Sequence, residues 1–125
     1  MKKSLVLAGL VAVSAIAIAP SAVRADFQGP TNSLGAETMS VDKVLGLKLD
    51  RDHVCMTGRI VSKLATDHDK YVFKDMTGEI VVEIDQKTFR GQTVTPESRV
   101  RVCGEVDAEV LKPNEFDADV LDVLQ

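Results

Sequence analysis

Beyond Asp52 the chain is patterned in twos. Val54, Met56, Gly58 and Ile60 alternate with Cys55, Thr57, Arg59 and Val61, the period of a strand with one buried face. Tyr71 and Phe73 alternate with Val72 and Lys74, and the alternation resumes from Glu79 to Ile84. Asp75-Met76-Thr77-Gly78 between them predicts a tight turn, with Gly78 at a position that needs a positive φ. The two runs therefore predict a hairpin. Asp85 to Gly91 predicts one helical turn stopped by Gly91. A further strand follows, with Val100, Val102, Gly104 and Val106 opposite in parity to Arg101, Cys103 and Glu105. Lys112-Pro113-Asn114 predicts a turn into a last strand, Phe116 to Leu124. Phe116 and Ala118 share a parity that Leu121 and Val123 do not, which predicts a bulge near Asp119-Val120.

Upstream the pattern changes. Ser40 predicts the cap of a short helix over Val41–Leu45, ended by Gly46. Residues 26–37 carry Gly29, Pro30, Asn32, Ser33 and Gly35 with no period, and predict an extended leader. Residues 4–23 hold no charge and follow the basic start Met1-Lys2-Lys3. A run of that length could span a bilayer. Its flanks argue otherwise: Pro20 and Ser21 interrupt the apolar run, and Val23-Arg24-Ala25 places small residues where a signal peptidase reads. The expectation is a signal peptide over 1–25, cleaved after Ala25, with no stable membrane insertion afterwards. A single folded domain would occupy 38–125.

Cleavage changes the charge. The 125-residue chain has 15 basic and 19 acidic side chains. Lys2, Lys3 and Arg24 leave with the signal and no acid does, so the mature 100 residues carry −7 rather than −4. That balance argues against nucleic acid as a partner, since phosphate contacts depend on Lys and Arg. It argues equally against binding anionic lipid by net charge alone.

Cys55 and Cys103 both fall in the exported part. An even pair in an oxidising compartment favours a disulfide. Closing a loop of that length stabilises by about 4 kcal/mol in the chain-entropy account. A small domain gains from such a staple because it buries a modest share of its surface. No CxxC is present, so a thioredoxin-like redox centre has no support.

Five short strands with a helical turn between the third and fourth predict an all-β fold, the small Greek-key OB-fold barrel, here with a short N-terminal helix. Several stretches also share the pattern of a known family. They are Phe27-Gln28-Gly29-Pro30, Val54-x-Met56-x-Gly58-x-Ile60, and Tyr71-x-Phe73-x-Asp75-x-x-Gly78-x-Ile80-x-Val82-x-Ile84-Asp85. Val100-x-Val102-x-Gly104-x-Val106-Asp107 and Phe116-Asp117-Ala118-Asp119 complete the set. In this order and spacing the chain resembles the bacterial OB-fold (BOF) family of periplasmic stress-tolerance proteins, the YgiW/YdeI type. The likeness spans essentially the whole mature chain. Phe89 departs from it, standing where the family often has Trp, and the cysteine pair is not a feature of the family as a whole. The resemblance implies a periplasmic, non-enzymatic binding module that supports envelope stress tolerance. In an OB barrel the first and fourth strands pair antiparallel. Cys55 and Cys103 share the outward parity there, which permits the bond.

Four groups of residues are candidate sites. His53 has the parity of Cys55, so His53, Cys55 and Cys103 form a possible soft-metal set for zinc or copper. It is incomplete, and it competes with the disulfide. Asp67, His68 and Asp69 lie in the loop between the first two strands, and Lys112 and Asn114 in the loop between the last two. Those loops commonly frame an OB-fold's ligand face, although a solvated polar loop explains the same residues. Lys74 and Glu83 belong to the outer face of the hairpin. That face offers no outward aromatic platform, which counts again against single-stranded nucleic acid. No catalytic triad spacing, phosphate loop or zinc motif occurs, so no enzyme activity and no cofactor are expected. The expected partner is an envelope glycan, a small molecule or an envelope protein, bound by a monomer. The alternative is a periplasmic metal-binding or metal-buffering protein.

Overall fold

The computed structural model describes residues 35–124. The expected signal peptide and nearly all of the expected leader lie outside the described residues. The elements in order are β1 (Glu37–Thr38), α1 (Val41–Leu45), β2 (Arg51–Lys63), β3 (Lys70–Lys74), β4 (Glu79–Ile84), a 3-10 turn (Gln86–Phe89), β5 (Val100–Asp107) and β6 (Glu115–Val123). Strands β2 to β6 close a five-stranded barrel in the order β2-β3-β4-β6-β5, with β5 returning to β2. This is the expected OB-fold.

Closure depends on the length of β2. Its 13 residues serve two partners. Arg51 to Gly58 pair antiparallel with β5, and Arg59 to Lys63 pair with β3. The strand can make both pairings because it is kinked by two register shifts, one between Arg51 and Val54 and one between Ile60 and Ser62. Gly58 lies where it changes partner. A Cβ there would collide with the Lys74 carbonyl oxygen. Gly104 has the same role on β5, where a Cβ would collide with the Asp117 carbonyl oxygen.

The alternation fills the barrel as expected. Val54, Met56, Phe73, Val82, Ile84, Val100, Val102, Val106, Phe116 and Leu121 are all fully buried, each stabilising the fold by roughly 1.5–3 kcal/mol relative to exposure. The bulge expected in the last strand is present. Cys103 faces Val120 and Gly104 faces Ala118, leaving Asp119 as the extra residue. The helical turn ends on two consecutive left-handed residues, Arg90 (φ 50°) and Gly91 (φ 72°).

Three details differ from the sequence-based expectation. Ser40 occupies the N-cap position of α1 but its hydroxyl caps nothing; it donates instead to Asp42 Oδ1. Gly78 has no positive φ, because the hairpin turn is closed by the Asp75 side chain rather than by a left-handed backbone. Oδ1 of Asp75 accepts from the N–H groups of Thr77 (2.7 Å) and Gly78 (3.2 Å) and from the Thr77 hydroxyl (2.6 Å). Finally, Glu37–Thr38 add a short parallel strand to β2 at Val54–Cys55.

Helix α1 is held from both ends by distant side chains. At its N-terminus the Val41 N–H donates to Asp75 Oδ2 (2.9 Å) and the Asp42 N–H to the Thr77 hydroxyl (3.0 Å). These partners satisfy donors that a helix leaves open. At its C-terminus Asn114 Nδ2 donates to the carbonyls of Val44 (3.0 Å) and Leu47 (2.8 Å), with a longer contact to Leu45 (3.4 Å). Val41 and Val44 are thereby seated in the core.

Candidate functional site

Cys55 and Cys103 stand directly opposite each other in the β2–β5 pair and are joined by a disulfide, with Cα atoms 4.1 Å apart. The Cys55 carbonyl accepts from the Met39 N–H on its other side (2.9 Å). The cysteines therefore occupy a non-hydrogen-bonded cross-strand position, where Cα atoms come closest. Both have the outward parity expected, yet they are only 0% and 5% exposed. Outward from the barrel core does not here mean solvated.

The possible metal set of His53 with two thiolates is not assembled. The sulfurs are bonded to each other, and His53 sits in the β2 register shift at φ 59°. That shift removes the simple parity linking His53 to Cys55. Among the described residues no group of three or more His, Cys, Asp or Glu side chains is placed to hold a metal ion.

The loop residues Asp67, His68 and Asp69 mostly organise their own turn. Asp67 Oδ1 accepts from the Asp69 N–H (3.1 Å), the Asp67 carbonyl accepts from the Lys70 N–H (3.2 Å), and the Asp69 carbonyl accepts from the Ile84 N–H (2.8 Å). His68 is almost wholly in solvent, 3.9 Å from Asp69 Oδ1.

Asn114 is buried at 5% exposure and hydrogen-bonded at both ends of its amide. Besides the α1 carbonyls, its Oδ1 accepts from the Glu109 N–H (2.9 Å). Both amide donors are thus spent on the α1 end, which makes this residue first a part of the architecture, although it also lines the cavity described next. Nothing in the sequence distinguishes a loop asparagine that binds a ligand from one that ties down a helix 70 residues away.

Lys112 lies beside a cavity of about 250 Å³. Its floor is the half-buried cross-strand pair Val72–Val81 on the outer face of the hairpin, and its walls include Leu45, Glu79, Pro113, Asn114 and Glu115. Asp67, His68 and Asp69 are not part of it. The expected two-loop frame is thus only half realised, with the loop between β5 and β6 supplying one side.

Glu83 belongs to a different feature, a row of charges across the outer sheet. Lys70 faces Glu83, Glu83 faces Asp117, and Asp117 faces Glu105. Lys70 Nζ pairs with Glu115 Oε1 at 3.1 Å rather than with Glu83, and this bond and charge raise the Lys70 pKa. Burial, then the charge of Asp117, pushes the Glu83 carboxyl up. Glu105 is raised by Asp52 above all, and Asp107 by burial and then Asp117. Like charges directly opposite each other destabilise a sheet, so this row has an energetic cost in the isolated protein.

Lys74 stands apart from the other candidates. It faces Arg59 across the β2–β3 pair and lines a second, larger groove with Arg99. Only its outward parity was legible in the sequence, because Arg59 on β2 and Arg99 just before β5 share no local pattern with it.

The closed five-stranded barrel with its short preceding helix defines an OB-fold protein. The chain belongs to the family described as "Bacterial OB fold (BOF) protein", whose pattern it matches over residues 15–123. It is 38% identical over 119 residues to Protein YgiW of Escherichia coli K12, covering 87% of this chain and 88% of that one. It is 33% identical over 76 residues to the calcium-regulated OB-fold protein CarO of Pseudomonas aeruginosa, covering 61% and 63% respectively. The solved structure of the hypothetical protein ygiW from E. coli superposes with a TM-score of 0.65 at 33% identity, covering 81% of this chain and all of the other.

Proposed function

We propose that this protein is a non-enzymatic binding module of the periplasm, exported by cleavage after Ala25, that supports envelope stress tolerance by holding an envelope glycan or a comparable small ligand or protein segment. The observation that carries the reading is the cavity over Val72 and Val81. It lies on the outer face of the β3–β4 hairpin beside the loop between β5 and β6, a region where OB-folds bind extended ligands. Val72, Val81 and Pro113 give it an apolar floor, and Lys112, Glu79 and Glu115 a charged rim. A sugar has the same mixture of an apolar face and hydrogen-bonding edges. Few convergent polar groups around an apolar surface are the usual make-up of a small-ligand site. The metal-buffering alternative has no assembled ligand set among the described residues to carry it.

The test is a titration of the periplasmic form, whose intact mass is expected to begin at Asp26, with soluble envelope glycan fragments followed by amide NMR. Saturable shifts at Val72, Val81 and Lys112 are expected, and Val81→Lys is expected to abolish them while leaving the rest of the spectrum in place. If glycans, small envelope metabolites and envelope protein extracts all leave these resonances unmoved, the reading is wrong.

A further inference from the structure

On the outer surface, β2 leaves β5 at Gly58 and joins β3 at Arg59. The strands it connects diverge there, because β3 ends at Lys74 and β5 only begins at Val100. The notch left between them is a groove of about 650 Å³. Gly58 contributes no side chain to its floor, and Thr57 stands beside it. Its walls carry Arg59, Lys74 and Arg99.

What sets these three cations apart is that they share one groove. Acids outnumber bases in the chain. Elsewhere Arg51, Lys70, Arg90 and Lys112 each pair with a carboxylate, and Lys43, Lys48, Lys63, Lys87 and Arg101, which make no ion pair among the described residues, do not line this groove. Among the described residues Arg59, Lys74 and Arg99 make no ion pair. Arg59 and Lys74 are, moreover, direct cross-strand partners, an arrangement that costs stability unless something lies between the charges. The groove holds two carboxylates, Asp75 and Glu97. Both Asp75 oxygens are engaged by the hairpin turn and the start of α1, which leaves Glu97 as the one acid lining the groove with free capacity; Glu79 faces Lys74 across the β3–β4 pair but lines the neighbouring cavity.

We propose that this groove is an anion site for a phosphate-bearing ligand. Two guanidinium forks and an ammonium group approach from β2, the end of β3 and the stretch just before β5, and that suits a tetrahedral oxyanion with several acceptor directions. A planar carboxylate satisfies one fork only. The groove is larger than inorganic phosphate, so the phosphate is the head of a larger molecule. The body of that molecule runs past Met76, which is fully exposed on the groove's rim. The site is separate from the Val72–Val81 cavity: Lys74 lines the groove while its cross-strand partner Glu79 lines the cavity. Binding at the two places can therefore fail independently.

The experiment uses the purified protein with three probes, inorganic phosphate, glucose 1-phosphate, and vesicles of phosphatidic acid in phosphatidylcholine. Glucose and plain phosphatidylcholine vesicles are the controls. Saturable shifts of the Thr57, Gly58, Lys74 and Thr77 amides are expected with at least one phosphate probe. The Arg59→Gln/Arg99→Gln double variant is expected to weaken binding roughly tenfold or more, the loss of two charge-assisted contacts, and Lys48→Gln, at an exposed cation that lines neither the groove nor the cavity, to leave it unchanged. A response to glucose 1-phosphate identifies a soluble phosphate ester as the source, and a response to the vesicles alone identifies a lipid headgroup. Should the double variant fold poorly, Lys74→Gln reads the same loss. No saturable response, an equal response to chloride at matched ionic strength, or undiminished binding in the folded variants would overturn the proposal.

Discussion

Two regions of this barrel treat polar groups in opposite ways. Around α1, the polar side chains arrive with their partners: half-buried Asp75 meets four donors at the hairpin and helix start, and buried Asn114 meets one donor and the carbonyl acceptors at the helix end. Across the outer sheet, Glu83, Asp117 and Glu105 face one another in register with Lys70 already bonded to Glu115. Burial raises the pKa of Glu83, while at Asp75 the same burial effect is outweighed by hydrogen bonds that hold the carboxyl below its ordinary range. A polar group taken out of water stabilises a fold only when its partners are built in with it. The α1 clamp meets that condition, whereas the acidic row lies on the exposed face with like charges opposite one another.

The comparison breaks most visibly at Asn114. Asn114→Ala removes the donor for the Val44 and Leu47 carbonyls and the acceptor for the Glu109 N–H, all at a buried position. Leaving such groups unsatisfied costs about 1–3 kcal/mol each where water cannot reach them, and a total loss of about 2–4 kcal/mol is expected for the variant. The urea midpoint of unfolding reads it. A loss under about 0.5 kcal/mol, the usual range for a surface site, would return Asn114 to the ligand-facing role its loop suggests.

How much of this was legible beforehand follows from the range of each interaction. Period-two alternation is local, so β3, β4, β5, the hairpin and the Asp119 bulge could be read from neighbouring residues. The pairing of β2 with β5 followed from the fold, and with it the register of Cys55 and Cys103. Asp75 and Asn114 act across 34 and 70 residues, and one hydrogen bond to a distant backbone leaves no periodic trace. The β1 strand is two residues long and parallel to a partner far along the chain, too short to show a pattern. His53 misled for a related reason, because a single left-handed residue shifts parity without a glycine to announce it. The basic groove was invisible as a unit since its three cations sit on three segments that only the barrel brings together.

The second break is at the hairpin. Asp75→Asn keeps an oxygen for the Thr77 and Gly78 donors, but it places an amide donor or a weaker neutral acceptor against the Val41 N–H. A loss of about 1–2 kcal/mol at neutral pH is expected, as for a helix cap. Its pH dependence identifies the cause. The folded pKa of Asp75 is lowered, so the folded state binds fewer protons than the unfolded chain in that window. The stabilisation is complete above the ordinary carboxylate range, near about pH 4, and is lost as the pH falls through the lowered value. Wild type and variant should therefore converge in acid. Parallel stability curves down to the lowest accessible pH would show that Asp75 acts through shape and not through its charge.

The smallest effect has the opposite sign. Glu105 is an exposed member of the row whose carboxyl is raised chiefly by Asp52, with smaller contributions from burial and from Asp107, Asp117 and Asp50. A raised carboxylate pKa means that the folded state binds more protons than the unfolded chain between the two values. Its contribution is thus unfavourable at neutral pH and fades as the pH falls through the raised value. Glu105→Gln removes the repulsion and keeps the size, so a small gain in stability is expected at neutral pH, read as a slightly raised urea midpoint. The gain should shrink with added salt, because exposed charges are screened over about 8–10 Å at physiological strength and less beyond it. A destabilised variant would mean that Glu105 has a favourable partner, and the row would then resemble the α1 clamp. A stabilised one leaves the two regions as different as their hydrogen bonds suggest.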